Sequence, residues 1–473
     1  MKIHQTDFSK GNVNRNILEM AVPMTMAQIL NLLYNIVDRI YIGRIPEAGT
    51  TALTGVGICF PIITLITAFT YLFGNGGSPL CSMERGRGNH REAERLMGNT
   101  FSMLLLTGVL LMAVGYIFYD PLLHAFGASD ITYPYAQDYI LFAFGASPST
   151  WPYAQAYLQI YLLGTLFVMI TLGMNPFINN QGFGNMGMLT ILIGAVLNII
   201  LDPLFIFVFH MGVKGAATAT VLSQMCSALW VLKFLTGKKA VLHLKKDAMR
   251  LSWSRVKNIM SLGISSFMMA FTNSIVQVFC NTTLHQYGGD LYVGIMTVLN
   301  SIREITTTPV NGITSGSSPV MSFNYGEGAY HRVRKAIRFV TVLCVSYTLI
   351  IWGLLKLFPE FFIRIFNNEP ELISRGIPAL HIYFFGYCFM ALQFTAQCTF
   401  VALGKARKAT FFSIFRKVLI VVPLTVLLPG IGNLGVDGVF WAEPISNLIG
   451  GCASFFTMLL TVMSELKKGA KGK

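Results

Sequence analysis

An ionisable side chain is costly in an apolar setting, so the carboxylates and amides that interrupt the long hydrophobic blocks of this chain come first. Asp38 is set deep in the first block, and Asn31, Tyr34 and Asp38 are spaced i, i+3, i+7. That spacing puts all three on one helical stripe able to face an internal cavity. Asn198 and Asp202 are i, i+4 neighbours in the fifth block, Thr220 follows in the sixth, and Asn175 lies in the fourth. A bare carboxylate is unstable in so low a dielectric, so it takes up a proton or sits beside a cation. Protonation and cation binding are then alternative ways to occupy one site. Two carboxylates, an amide and a hydroxyl supply oxygen ligands suited to a hard cation such as Na⁺. Asp38, Asn198, Asp202 and Thr220 are therefore the candidate cation or proton site. The competing reading is that Asp38 and Asp202 only hydrogen-bond helix to helix.

Other polar residues divide between structure and function. Arg39 adjoins Asp38 but points about 100° round the helix. Arg303 and Glu304 read as a buried structural pair in preference to a ligand-binding one. Glu443, at the start of the last block and just before Pro444, reads equally as an interface-level structural residue or a functional one. Pro23 sits one to two turns into the first block, where its missing N–H permits a kink, and a bend below a titrating Asp is a lever. Methionine (23) and phenylalanine (36) are abundant; those on a cavity wall make an adaptable surface for varied ligands. The eight cysteines fall in the apolar blocks without a CxxC pair, which reads as buried small hydrophobes rather than metal ligands or disulfides. There is no P-loop, HExxH or GxSxG, and no His in the middle of a block. An ATP-driven pump is not expected, nor a cofactor, nor any metal beyond Na⁺ at the cation site.

The elements that must position these residues are membrane-spanning helices. Of 473 residues, 53% are hydrophobic and only 12% charged. The apolar blocks are continuous and near the roughly 20 residues needed to cross hydrocarbon. Twelve spans are expected, at about 17–43, 53–80, 96–118, 154–178, 186–209, 214–236, 258–284, 292–322, 334–357, 378–402, 410–430 and 437–463. The polar lead from Met1 to Asn16, with no small-residue cleavage site, reads the first span as retained rather than as a signal peptide. The net charge of +14 is unevenly placed. Most Lys and Arg fall on one side if the termini and the even-numbered loops share it: Arg85, Arg87, Arg91, Arg95, the run Lys238–Lys257, Arg332, Arg334, Lys335, Lys405, Arg407, Lys408 and the Lys467–Lys473 tail. The opposite loops are acidic. This positive-inside pattern predicts a multi-pass protein of the plasma membrane (the cell inner membrane) with both termini cytoplasmic. The partners expected are the lipid bilayer and a small organic substrate, not nucleic acid.

The chain also repeats itself. Gly76–Arg95 (GGSPLCSMERGRGNHREAER) aligns with Gly316–Lys335 (GSSPVMSFNYGEGAYHRVRK) at an offset of 240, and Ile160–Gly164 matches Ile382–Gly386 at 222. The difference, 240 − 222 = 18, is visible as a tandem duplication: FGASDITYPYAQDYI from Phe126 and FGASPSTWPYAQAYL from Phe144 are 18 apart. The duplication (126–158) either lengthens the fourth helix or forms an external hairpin. The repeat predicts an all-α protein of two six-helix lobes related by a pseudo-two-fold axis along the membrane normal, with substrate bound between them. The expected boundaries are an amino-terminal lobe at 1–236, a basic cytoplasmic linker at 237–257, a carboxy-terminal lobe at 258–463 and a basic tail at 464–473.

On these residues the chain resembles the multidrug and toxic compound extrusion (MATE) transporters over nearly its whole length. The resemblance rests on Val37-Asp38-Arg-Ile-Tyr-Ile-Gly43, Gly312-ITSGSSPVMSFNYG-326, Asn198-IILDP-203 and Trp441-Ala-Glu-Pro-Ile-Ser446 taken together. It implies an outward V-shaped cavity and antiport of small amphipathic or cationic compounds driven by H⁺ or Na⁺, in a protein expected to act as a monomer. It implies that Asp38, Asn198, Asp202 and Thr220 form the amino-terminal-lobe site. It further implies that Asn31, Tyr34, Tyr157 and Asn175 line the cavity and that Pro23 bends the first helix. The NorM-type branch places acids in helices 7 and 10; this chain has none there, with Asn273 in place of a helix 7 Glu, so the site is nearer the DinF type. Two other readings stand beside antiport: a flippase of lipid-linked precursors, which would want a cationic cavity, and a membrane-embedded enzyme, which would want a His or metal constellation.

Overall fold

A computed structural model describes residues 5–46, 48–117, 151–432 and 434–469, and the regular structure among them is helical. Helices satisfy their own backbone groups, as a chain crossing hydrocarbon must. Twelve long helices follow in chain order. They are α1 (Val13–Gly43), α2 (Gly49–Ile58 then Phe60–Gly86), α3 (His90–Ile117) and α4 (Trp151–Leu163 then Thr165–Asn180). Next are α5 (Gly184–Val208), α6 (Val213–Thr236), α7 (Trp253–Gly289) and α8 (290–326). The last are α9 (Tyr330–Leu357), α10 (Pro370–Tyr383 then Tyr387–Ala402), α11 (Ala406–Gly430) and α12 (Val436–Gly469).

Among the described residues, eight helices are long and apolar enough to cross a membrane, ten if each bent pair counts as one span. The other two, α2 and α8, are as long but richer in hydroxyl and amide groups. Every expected span has its helix, with differences at the ends. No loop separates α7 from α8: they abut at Gly289, whose φ of 68° suits glycine. Helices α4 and α10 bend by 57° and 48° at Gly164 and beside Gly386, the glycines that end the repeated motif. Residues 118–150 lie outside the described part of the chain. Only the last stretch of the tandem duplication is therefore seen, as the start of α4.

The two halves meet along glycines. A Cβ on Gly263 (α7) would lie 1.7 Å from the Leu72 carbonyl oxygen, and one on Gly76 (α2) 2.2 Å from that of Ile259. A Cβ on Gly86 would lie 2.1 Å from the Phe323 carbonyl oxygen, and one on Gly326 2.0 Å from that of Met83. These two contacts exchange partners at the same offset of 240, the reciprocity that a two-fold relation demands. Gly312 and Gly316 of α8 press on Thr25 and Ala21 of α1, where an added Cβ would lie 2.5 Å from each Cα. Ser82 Oγ donates across the seam to the Pro319 carbonyl at 3.1 Å.

One end of this seam is tied by the segment before α1. Thr6 N donates to Gly182 O at 2.9 Å in the first half. Asn324 Nδ2 and Arg332 Nη2, from the second half, donate to Phe8 O at 3.1 and 2.9 Å. Phe8 is fully buried, and the Arg85 guanidinium stands over its ring and that of Phe323. The basic segment between α6 and α7 docks at the same end. Gln181 Oε1 accepts from Val241 N and Leu242 N at 2.7 and 2.8 Å, Asn99 Oδ1 accepts from Ser252 N at 2.8 Å, and Arg255 pairs with Glu92 at 2.6 Å.

Gly263→Leu drives a side chain into backbone, so it is expected to lower stability by at least about 3 kcal/mol. Gly353→Ala in α9, where a Cβ meets nothing within 4 Å, serves as the control and should melt as the parent does. Thermal melts of detergent-solubilised protein check both.

Candidate cation site and substrate cavity

The predicted stripe of α1 faces α5 and α6. The carboxyls of Asp38 and Asp202 lie side by side, close enough to interact directly. Asn198 Nδ2 donates to Asp202 Oδ1 at 3.2 Å and to Thr220 Oγ1 at 3.4 Å. Asn198, Asp202 and Thr220 are buried, and Asp38 is half-buried. The local sequence shapes this corner. Pro203 follows Asp202 without an N–H, and α5 continues as a π-helical turn, Leu204–Val208. Such wide turns re-aim the side chains around them.

Four oxygens here are buried with no donor among the described groups: Asp38 Oδ1, Asn198 Oδ1, Asp202 Oδ2 and Gln224 Oε1. An unmet buried acceptor costs roughly 1–3 kcal/mol. Several converging on two carboxyls form the donor set that a hard cation or a proton would satisfy. Two carboxyls so close together resist being bare at once, and a shared proton or a bound cation would relieve them.

Two hollows adjoin the pair. The smaller, about 20 Å³, is walled by Asn31, Tyr34, Thr190, Asn198 and Thr220, room for one water-sized guest. The larger, about 240 Å³, is walled by Tyr34, Asp38, Phe60, Tyr157, Tyr161 and Gln224 among others. Tyr34, Thr220 and Gln224 belong to both walls, so the polar corner opens directly onto an aromatic cavity. Tyr157 stacks on Tyr161 with centroids 5.9 Å apart. Arg39, turned away from Asp38 as its position dictates, lies 4.8 Å from the Phe60 ring centre at the rim.

The structure thus gathers Asn31, Tyr34, Asp38, Tyr157, Asn198, Asp202 and Thr220. Two other residues singled out in the sequence stand apart from these hollows. Asn175 Nδ2 donates to Gly187 O at 3.2 Å, tying α4 to α5. Pro23 is buried in an unbroken α1, between the two residues that touch α8. Tyr161 and Gln224 escaped the sequence reading although the signal was present. Each lies four residues after a candidate, Tyr157 and Thr220, on the same helical face.

Two expectations for the second half need correction. Arg303 does not pair with Glu304, which is exposed; its Nη1 donates to Glu443 Oε1 at 3.1 Å. Adjacent helical residues point about 100° apart, so a cation finds its anion on another helix. Nor is Glu443 an interface residue: it is 6% exposed and ringed by Arg303, Arg416 and Lys417.

Comparison with known proteins agrees with this architecture. The MatE family profile matches residues 23–150, 135–204 and 265–427, well over half the chain. The multidrug export protein MepA of Staphylococcus haemolyticus is 22% identical over 96% of this chain and 94% of its own length. A protein of Shewanella oneidensis named FAD transporter is 22% identical over 94% of each chain. The outward-facing structure of a multidrug resistance MATE family transporter superposes with a TM-score of 0.85 at 22% identity, covering 99% of both chains. At that identity the superposition speaks for the fold alone. The chain therefore belongs to the MatE family, the transporters its motifs resemble: it is a multi-pass, all-α membrane transporter of twelve helices in two six-helix lobes, and not an enzyme.

Proposed function

We propose that this chain exports small amphipathic or cationic organic compounds by alternating access, in exchange for H⁺ or Na⁺ bound at Asp38, Asn198, Asp202 and Thr220. The observation that carries this is the contact between the Asp38 and Asp202 carboxyls at the edge of an aromatic cavity. A cationic compound resting on Tyr and Phe faces is attracted by the rings and by any uncompensated carboxylate. When a proton or Na⁺ neutralises the pair, that attraction weakens and the compound leaves. When the ion leaves, the charge returns and recruits the next one. The name of MepA supports drug-like cargo, and family membership supports a small-molecule substrate without a cofactor.

In this reading Asn31, Tyr34 and Tyr157, with Tyr161, line the cavity; Asn175 steadies α4 against α5; and Pro23 is the bending point of α1. The lobes run over 1–236 and 258–463, joined by the basic linker 237–257 and followed by the tail 464–473. Termini and linker face the cytoplasm of a plasma-membrane protein that works as a monomer and binds no nucleic acid. The glycine seam then closes the cytoplasmic end, and the cavity opens outward. A flippase would want cations around the aromatic cavity; the wall of that cavity carries Asp38, with Arg39 at the rim as its one cation among the described residues, which argues for the antiporter instead.

Three outcomes test the proposal. In proteoliposomes loaded with ethidium, pH and Na⁺ gradients imposed separately should show efflux driven by at least one of them; the effective gradient identifies the ion, and no response to either refutes the coupling. Asp38→Asn preserves a hydrogen bond to Asp202, so its melting should stay within about 1 kcal/mol of the parent, yet gradient-driven efflux should fall at least tenfold. Parental efflux in Asp38→Asn would remove Asp38 from the mechanism. Tyr161→Ala should raise the half-saturating ethidium concentration about tenfold, the loss of one aromatic face, and an unchanged value would take Tyr161 out of the binding wall.

A further inference from the structure

The carboxy-terminal half carries a second buried polar cluster, at the place the internal repeat reserves for the cation site. The correspondence is structural as well as sequential. Gly212 and Gly435 share one unusual backbone conformation, φ 55°, ψ −131° against φ 51°, ψ −129°. Three residues on, Gly215 presses on Phe205 and Gly438 on Leu428, again 223 apart. Carried along α6 and α12, that offset sets Thr220 against Glu443, Gln224 against Asn447 and Ser227 against Gly450. On the facing helices the offset of 222 sets Gly194 against Arg416 and Ala195 against Lys417, and on α4 and α10 it sets Tyr161 against Tyr383.

Volumes confirm the register. A Cβ on Gly194 would meet Ser227 Oγ at 2.8 Å, and one on Gly450 would meet Arg416 Cγ at 2.9 Å. Where the first half leaves a hollow walled by Gly194 and Thr220, the second half inserts a guanidinium and an ammonium. A π-helical stretch, Phe415–Val421, lets the consecutive Arg416 and Lys417 both reach Glu443. It precedes Pro423, as the π turn of α5 follows Pro203.

The charges do not balance. Arg303 Nη1 and Arg416 Nη1 each donate to Glu443 Oε1 at 3.1 Å, and Lys417 Nζ lies 3.4 Å from Oε2. Arg416 also donates to Asn447. Three basic side chains, two of them guanidiniums, thus share one carboxylate within the span. Unpaired buried charge is expensive, so such a set calls for a further anion. One donor already stands ready: Arg416 Nε is buried with no acceptor among the described groups, on a side chain 8% exposed. Arg303 is the member within reach, its side chain 29% exposed against 4% for Lys417. Its guanidinium stands over the Tyr383 ring at 5.8 Å, and Tyr383 Oη donates to Asn300 Oδ1 at 3.1 Å.

We infer that Arg303, Arg416 and Lys417 form an anion-binding site that takes a carboxylate or phosphate group, making the carboxy-terminal lobe the charge-inverted counterpart of the cation site. As a site for the anionic group of a transported compound it rests on the export reading; as an anion site it stands without it. Forked guanidinium donors suit either oxyanion.

Fluorescence anisotropy of 5-carboxyfluorescein with the purified full-length chain in detergent tests this without any gradient. Saturable binding is expected, weakened at least tenfold by Arg303→Gln, weakened by Lys417→Met, and largely recovered in Arg303→Lys. Displacement by benzoate but not by inorganic phosphate assigns the site to an organic cargo group; displacement by both at equal concentration assigns it to any small oxyanion. No saturable binding to the parent protein, or binding equal in the parent and both neutralised variants, overturns the inference and leaves the cluster a structural ion pair. A failure of ethidium efflux would count against the export reading and leave this measurement standing.

Discussion

Two carboxyl groups side by side inside an apolar bundle set the terms for the rest of this molecule. Two like charges about 4 Å apart repel by roughly 4 kcal/mol even at an effective dielectric constant of 20, so Asp38 and Asp202 must share a proton or clasp a cation. Asn198 has already committed its amide hydrogens, to Asp202 and to Thr220. The acceptors left over point at the same corner. Occupying that corner changes the charge on the wall of the aromatic cavity, because Tyr34, Thr220 and Gln224 belong to both. An ion and an organic compound can therefore govern each other's affinity without sharing a ligand, and the coupling must act equally in both directions.

Helix α1 connects that corner to the seam. Asp38 stands 15 residues above Pro23, about 22 Å along the helix, and Pro23 lies between Ala21 and Thr25, the residues that bear on Gly316 and Gly312. A bend at Pro23, proposed above, would change the angle between the part of α1 that carries Asp38 and the part that packs on the other lobe. The seam itself is suited to two states. Backbone meets backbone at glycines, so closing it excludes water without long interdigitated side chains, and opening it strands few of them. The segment through Phe8, bonded to Gly182 on one side and to Asn324 and Arg332 on the other, fixes how far the halves can part at that end.

Much of this was legible in the sequence. Spans announced themselves by length and apolarity, and helical spacing alone placed Asn31, Tyr34 and Asp38 on one face. The offset of 240 located the glycines of the seam, but which backbone each glycine meets is a tertiary fact that periodicity does not contain. For the same reason Arg303 was matched to its neighbour Glu304, when its partner Glu443 lies 140 residues away on α12. Asn175 and Pro23 were recognised as unusual residues, yet their distance from the two hollows depends on how α4 and α1 are rotated and packed. Tyr161 was quoted as part of a repeat and passed over as chemistry. An aromatic residue is common in a span; its spacing one turn after Tyr157 puts the two on one face, and the structure adds that they stack beside Asp38.

The repeat explains how one scaffold carries opposite polarities. Exchanging glycine for arginine at one repeat position, and serine for glycine at the position facing it, keeps the helix spacing while turning a hollow into a cation. Neither substitution alone would fit: arginine opposite Ser227 would overfill the first lobe, and glycine opposite Gly450 would leave a void in the second. The two lobes are thus free to differ in charge while remaining alike in backbone, and function follows the side chains grafted on the fold rather than the fold itself. The acidic pair of one lobe and the basic cluster of the other thus occupy corresponding places of one repeated backbone with opposite charge.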